Sequence, residues 1–213
     1  MKPAALSQDI VQTVFVVDDD DAVRDSVSIL LKTMGLQVED YPSAAAFLEG
    51  TNAEDGGVNG CLVLDIRMPH MSGLELQHHL TAAGSRLPII FITGHGDIPM
   101  AVQAMRDGAL DFIRKPFRDQ ELLDRVHAAL AVDAESTAAT EHRDQIAHRA
   151  TLLTPRELEI FERVAAGQAN KVVAIELGIS ERTVEIHRSQ VMHKMEARNL
   201  AQLVRMKIEL ERD

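Results

Sequence analysis

The stretch Cys61-Leu62-Val63-Leu64-Asp65-Ile66-Arg67-Met68-Pro69 decides the fold. An apolar run of strand length ends in a carboxylate, and Pro69 stops it. In a parallel α/β sheet the carboxyl ends of the strands border the ligand crevice, which puts Asp65 at the chemical edge. Three other strand-like runs also end in reactive groups. Val14-Phe15-Val16-Val17 ends in Asp18-Asp19-Asp20-Asp21, Ile89-Ile90-Phe91-Ile92 in Thr93, and Phe112-Ile113-Arg114 in Lys115-Pro116. An acid pair, a lone carboxylate, a hydroxyl and an amine are therefore expected at one crevice.

Helix-like segments separate these strands. Val23, Val27, Leu30, Leu31 and Met34 recur at helical spacing, and Gly35 ends that helix. Gln37 to Tyr41 reads as an edge strand, and Ser43 caps a short helix through Leu48. Thr51 to Gly60 reads as a loop. Ser72-Gly73-Leu74-Glu75 is a capping box opening a helix to about Ala83. Pro88 starts a strand, a helix is predicted over 97–107 with Pro99 in its first turn, and Asp119 caps a long helix. Strands separated by helices imply right-handed parallel crossovers. The fold class is α/β, a doubly wound five-stranded parallel sheet of the flavodoxin-like class, over residues 12–132.

Between Pro116 and Pro155 there is neither Gly nor Pro. A helix continuing past Val132 is one reading of the linker, residues 133–150. A flexible solvated linker is the other, favoured by Ser136, Thr137 and Thr140. Residues 151–213 form a small all-α unit. Thr154-Pro155-Arg156-Glu157 is a capping box with Pro at the first helical position, and Gly167 ends that helix. Asn170 caps a second helix through Leu177, Gly178 turns the chain, and Ser180 caps a third from Glu181 to about Lys194. A fourth follows from about Asn199. Helix, short glycine turn, helix is the helix-turn-helix pattern.

A single Cys in 213 residues rules out an internal disulfide and suits a reducing compartment, with Cys61 a small buried strand residue. No apolar segment reaches the roughly 18–20 residues needed to span a bilayer. The first twelve residues lack a signal-peptide core. A cytoplasmic protein without a membrane partner is expected. Met1 to Val132 carries 10 Lys and Arg against 19 Asp and Glu, whereas Thr151 to Asp213 carries 10 against 10. The acidic part is a poor nucleic-acid binder; the neutral part could bind through a local basic face.

Clustered carboxylates repel one another unless a cation neutralises them. Asp18, Asp19 and Asp65 are oxygen donors suited to a hard cation such as Mg²⁺. With that charge in place, Asp65 becomes a nucleophile toward a phosphoryl group. Lys115 would neutralise charge on the transferring oxygens and Thr93 would hydrogen-bond one of them. Surface carboxylates at strand ends are the bland alternative.

Val17-Asp18-Asp19, Leu64-Asp65-Ile66-Arg67-Met68-Pro69, Ile92-Thr93-Gly94-His95 and Lys115-Pro116-Phe117 resemble the motif set of two-component receiver domains. The C-terminal part resembles the LuxR-type helix-turn-helix, and the combination resembles FixJ-like response regulators of the NarL/FixJ class. The resemblance implies that Asp65 accepts phosphate from a sensor histidine kinase. Asp18, Asp19, Asp65 and the Arg67 backbone carbonyl would hold Mg²⁺. It also implies that Thr93 and Lys115 contact the phosphoryl group, and that Phe112 is the switch aromatic. An ordinary core Phe is the alternative for Phe112. His95 is a candidate gate to the phosphate or a solvated loop residue. Phosphorylation would then drive homodimerisation and binding to promoter DNA for transcription regulation, with RNA polymerase as a further candidate partner. The bistable element is expected between Gly94 and Gly108.

Ile179-Ser180-Glu181-Arg182-Thr183-Val184-Glu185-Ile186-His187-Arg188 carries the LuxR-type resemblance. Val184, Val191 and Met195 should face the core. Arg182, Glu185, Ile186 and Ser189 could enter the major groove, where Arg pairs with guanine, Glu accepts from cytosine and Ile touches a thymine methyl. Lys171, Thr183, Arg188 and Lys194 are candidate phosphate contacts. Many relatives have Lys where this chain has Glu185. A solvated mixed-charge helix face is the alternative.

Two rival functions remain. A haloacid-dehalogenase-type phosphatase would usually carry a second Asp two residues after its nucleophile, where this chain has Arg67. A vestigial receiver would not be expected to keep the full acid, Thr and Lys set. Gly94-His95-Gly96 is too short for a nucleotide-binding loop, and His78-His79 has no partner at metal spacing.

Overall fold

A computed structural model describes residues 11–51, 53, 57–94 and 98–211, residue 98 by its backbone alone. By its contacts the chain divides after Thr137 into two units.

The first unit alternates strand and helix: β1 (Thr13–Val17), α1 (Asp21–Thr33), β2 (Gln37–Tyr41), α2 (Ala44–Gly50), β3 (Gly60–Asp65), α3 (Gly73–Ala82), β4 (Ile89–Thr93), α4 (Ile98–Arg106), β5 (Asp111–Arg114) and the start of α5 (Asp119–Thr151). The sheet order is β2-β1-β3-β4-β5 and every pairing is parallel. β3 lies in the middle and is buried at all six positions. The two-residue period of a strand divides its side chains between two cores. Phe15, Leu62, Leu64 and Phe91 join Phe47 of α2, Leu76 of α3 and Ala101 of α4 on one face. Val14, Val16, Cys61, Val63 and Ile90 join Leu31 of α1 and Val126 of α5 on the other. The expected doubly wound five-stranded sheet is therefore present, with β2 as an edge strand.

In this unit local details differ from the sequence expectations at two places. α1 ends at Thr33, with Met34 as its C-cap and 54% exposed, so Met34 does not extend the buried stripe. α5 begins with Asp119 already helical. Asp97, expected to open the helix now seen as α4, lies outside the described residues, as do Gly96 and His95.

α5 runs unbroken from Asp119 to Thr151. Its course past residue 132 is anchored by a carboxylate. Asp133 is 6% exposed, and its Oδ2 accepts from the Gly60 amide at 2.8 Å and from Gln12 Nε2 at 2.8 Å. Gln12 Nε2 also donates to the Leu130 carbonyl at 2.7 Å, and Thr137 Oγ1 donates to Asn59 Oδ1 at 3.3 Å. Gly60 sits at φ 137°, where a Cβ would fall 1.8 Å from the Thr13 carbonyl oxygen. Only glycine brings that amide in close enough for Asp133. Burial, and then the Asp133 carboxylate, pushes the Cys61 thiol up to about 12, which makes it an inert core residue.

The second unit contains α6 (Pro155–Ala165), α7 (Asn170–Leu177), α8 (Glu181–Lys194) and α9 (Leu200–Glu211). Its core gathers Ile160, Phe161, Val173, Val184, Val191 and Leu203, with Ile146 from the end of α5. The capping box at Thr154 and Glu157 is formed, and Pro155 occupies the first turn. Gly178 closes α7 in the left-handed region at φ 65°. Asn170 departs from expectation. It is the first helical residue of α7, Ala169 is the N-cap, and no side chain caps it. The Asn170 amide oxygen instead accepts from Arg188 Nη1 at 3.0 Å. Among the described residues no helix is long and apolar enough to cross a membrane.

Replacing Asp133 with Ala leaves the buried Gly60 amide without its acceptor. A stability loss of about 1–3 kcal/mol is expected in urea unfolding followed in the first unit. An unchanged midpoint would show that packing alone holds α5 there.

Candidate functional site

The carboxyl ends of β1, β3, β4 and β5 assemble one pocket. Asp18 follows β1, Asp65 ends β3, Thr93 ends β4 and Lys115 follows β5. Asp18 is 2% exposed, Asp65 8% and Thr93 3%. The Lys115 Nζ donates to Asp18 Oδ2 and to Asp65 Oδ1, both at 2.7 Å. The other oxygens are held by the backbone: Asp18 Oδ1 accepts from the Asp20 amide at 2.9 Å and Asp65 Oδ2 from the Arg67 amide at 2.7 Å. The Lys115 amide donates to the Thr93 carbonyl at 2.7 Å, tying the hydroxyl and ammonium segments together.

Burial pushes the Asp65 carboxyl above the usual carboxylate range, against the opposing pull of its bond to Lys115. Burial also pulls Lys115 down. Its bonds to Asp18 and Asp65 outweigh that, so the ammonium stays charged more firmly than a free lysine.

As expected, the amine joins the acids, and its ammonium bridges two of them. Asp19, next to Asp18 in the chain, is exposed. Among the described residues no three His, Cys, Asp or Glu side chains form a group able to hold a metal. The donor chemistry still fits a hard cation. Two buried carboxylates face one ammonium, which leaves net negative charge at an oxygen-lined rim beside Asp19.

Two contributors were not identified from the sequence. Arg24 of α1 donates from Nη1 to the Asp18 carbonyl at 2.8 Å and pairs with Asp21, so it braces the acidic loop. Gly73 opens α3 so close to β3 that a Cβ would lie 2.2 Å from the Asp65 carbonyl oxygen. Its place in the capping box was the available signal. Phe112 is 38% exposed, as are Val102 and Met105 of α4 at 44% and 39%, so it is not an ordinary core residue.

In the second unit Val184, Val191 and Met195 are buried as their spacing predicts. Arg182, Glu185, Ile186 and Ser189 are exposed on α8, and Lys171 is exposed on α7. Thr183 shares a hydrogen bond with Ser180 at 2.8 Å between hydroxyls. Arg188 is half-buried against Asn170. Lys194 has a different employment from the one expected. Its Nζ donates to Glu157 Oε2 at 2.6 Å and to the Leu152 carbonyl at 3.1 Å. Lys194, with the Thr154 amide, holds the Glu157 carboxyl below the usual range.

Residues 14–127 match the response regulator receiver domain, and residues 151–207 match the bacterial regulatory proteins of the luxR family. The chain belongs to the response regulators that join a receiver to a LuxR-type DNA-binding domain, a class of transcription regulators. It is 47% identical over 193 residues to the transcriptional regulatory protein FixJ of Azorhizobium caulinodans, covering 91% of this chain and 90% of that one. It is 42% identical over 198 residues to the response regulator protein TodT of Pseudomonas putida, covering 93% and 86%. Among solved structures, the response regulator StyR shares 46% identity at a TM-score of 0.83, covering 93% of this chain and 98% of that chain. Full-length FixJ from B. japonicum shares 41% at a TM-score of 0.57, covering 93% and 97%.

Lys115→Met leaves two buried carboxylates without their ammonium, so the Asp65 carboxyl, already raised, rises further. A carboxyl that titrates higher in the folded state stabilises the fold when protonated, and that stability is lost as pH rises through the folded-state value. The variant should lose about 3–5 kcal/mol near pH 7. The deficit should shrink as pH falls toward the ordinary carboxyl value of 3.8. Urea unfolding at a series of pH values measures this. A deficit equal at every pH would assign the loss to the lysine stem.

Proposed function

We propose that this response regulator is switched by phosphorylation of Asp65 and then binds promoter DNA as a homodimer. The observation that carries the reading is the Lys115 ammonium bridging Asp65 and Asp18 at 2.7 Å in a buried pocket. The donor is a phosphohistidine on a sensor kinase. An Asp65 carboxylate oxygen attacks phosphorus, the P–N bond breaks, and its electron pair returns to the imidazole nitrogen. The Arg67 amide orients the nucleophile through Asp65 Oδ2. Lys115 follows the developing charge onto the phosphoryl oxygens, and Thr93 donates its hydroxyl to one of them. Asp18, Asp19, Asp65 and the Arg67 carbonyl would hold Mg²⁺, which supplies charge neutralisation when bound. A groove lined by Ala22, Ser26, Gly94, Lys115 and Phe117 opens beside the pocket and gives the donor its approach.

Drawing Thr93 toward the phosphoryl group repositions α4 and Phe112, and the exposed apolar surface of Val102, Met105 and Phe112 becomes the dimer contact. On DNA, α8 lies in the major groove with Arg182, Glu185, Ile186 and Ser189 toward the bases. Lys171, Thr183 and Arg188 hold phosphates. Lys194 joins them only by leaving Glu157. RNA polymerase is the downstream partner of a promoter-bound regulator.

Incubation with Mg²⁺ and a small phosphodonor, followed by mapping, should place one phosphoryl group on Asp65. Wild-type yield on an Asp65→Ala variant would refute the assignment. Arg188→Ala should weaken binding to all sequences alike and reduce the salt slope by about 1. An unchanged slope removes Arg188 from the phosphate contacts.

A further inference from the structure

We infer that Gln77 is a positioning residue that clamps the C-terminal turn of α4 and makes that end the pivot of the switch. The inference rests on the phosphorylation reading above and goes beyond it by saying how α4 moves.

Gln77 lies on α3, 1% exposed, within the apolar core that includes Leu76, Leu80, Phe91 and Ala104. Its Nε2 donates to the Ala104 carbonyl of α4 at 3.0 Å. That carbonyl also accepts from the Ala109 amide at 2.9 Å, the bond that closes the end of α4 before Gly108 at φ 95° turns the chain. Gln77 thus grips the helix at its terminating turn. The next residue reinforces the grip from the surface. His78 Nε2 lies 3.4 Å from Asp107 Oδ2, and Gln103 Nε2 donates to the two Asp107 oxygens at 2.9 and 3.0 Å.

The amide is only half used. Gln77 Oε1 is buried and meets no donor among the described residues. A buried acceptor without a partner costs the fold more than an apolar side chain of the same shape, so stability alone would favour Leu at this position. The polar group is accounted for by what its other half holds. Ala101 and Ala104 present only methyl groups to the core and Met100 packs against it only partly buried, so few deeply interlocking side chains fix α4 among its described residues. One directional bond near its end supplies that register. A displacement that starts at Thr93 reaches the N-terminal end of α4 first. With the Ala104 turn held, the helix swings about it and carries the exposed Val102 with it, while the start of β5 stays in register.

Two measurements on the full chain test this, both with Mg²⁺ and beryllofluoride as the phosphoryl mimic. In wild type, amide exchange over 98–102 should change on adding the mimic, while exchange over 103–110 stays within about twofold. In Gln77→Leu both segments should respond, and the mimic concentration giving half-maximal dimer in sedimentation should fall about fivefold. The thermal midpoint of that variant should equal or exceed that of wild type, an outcome a purely structural role would not produce. Equal responses of the two segments in wild type overturn the pivot, and they do so even where Gln77→Leu does not fold. A responding wild type with an unmoved Gln77→Leu titration overturns the inference alone. A wild type that does not respond overturns the phosphorylation reading, and this one with it.

Discussion

One ammonium between two buried carboxylates governs the chemistry of the first unit. Asp18 and Asp65 stand on adjacent strands, almost out of water, and each would be expensive to ionise alone. Lys115 reaches both at 2.7 Å. The balance is incomplete by design of the charges: two negatives face one positive, and burial still pushes the Asp65 carboxyl upward. A pocket left in that state favours any further cationic or electrophilic group that enters it. A divalent ion and a phosphoryl phosphorus are the two such groups that response-regulator chemistry brings together.

The parts of this arrangement that a sequence reveals are those encoded within a few residues. Strand periodicity, a proline stop and a terminal carboxylate are local, so Asp65, Thr93 and Lys115 could be placed at one edge once the strands were known to be parallel. The capping boxes at Ser72 and Thr154 were legible for the same reason, since the partner lies three residues away. The Val184, Val191 and Met195 stripe followed from helical spacing.

What escaped was decided by partners distant in the chain. Lys194 reads as a candidate phosphate contact, and its pairing with Glu157, 37 residues away, has no local signal. Asn170 reads as a cap, but Arg188 takes its side-chain oxygen. Asp133 opens a stretch that reads either as continued helix or as solvated linker, and nothing local shows that it sits against an amide 73 residues earlier. Propensity and periodicity carry no information on such pairings, because the geometry that creates them is tertiary.

The two carboxylate fastenings lie at opposite ends of the same strand. β3 begins at Gly60, whose amide is held by Asp133, and ends at Asp65, whose oxygens are held by Lys115 and the Arg67 amide. Between them every residue is buried and paired to β1, and Leu62 to Leu64 are also paired to β4. A strand so constrained cannot absorb a new charge by moving. Under the proposed phosphorylation, a new charge on Asp65 would have to be accommodated mainly by side chains around the pocket and by α4, which lies outside the sheet. The burial that raises the Asp65 carboxyl also leaves β3 little room to relax, so under the proposed phosphorylation the response would pass outward. Where the signal leaves the pocket follows from which neighbours are less firmly held, and that is a property of the packing around the site as much as of the phosphoacceptor itself.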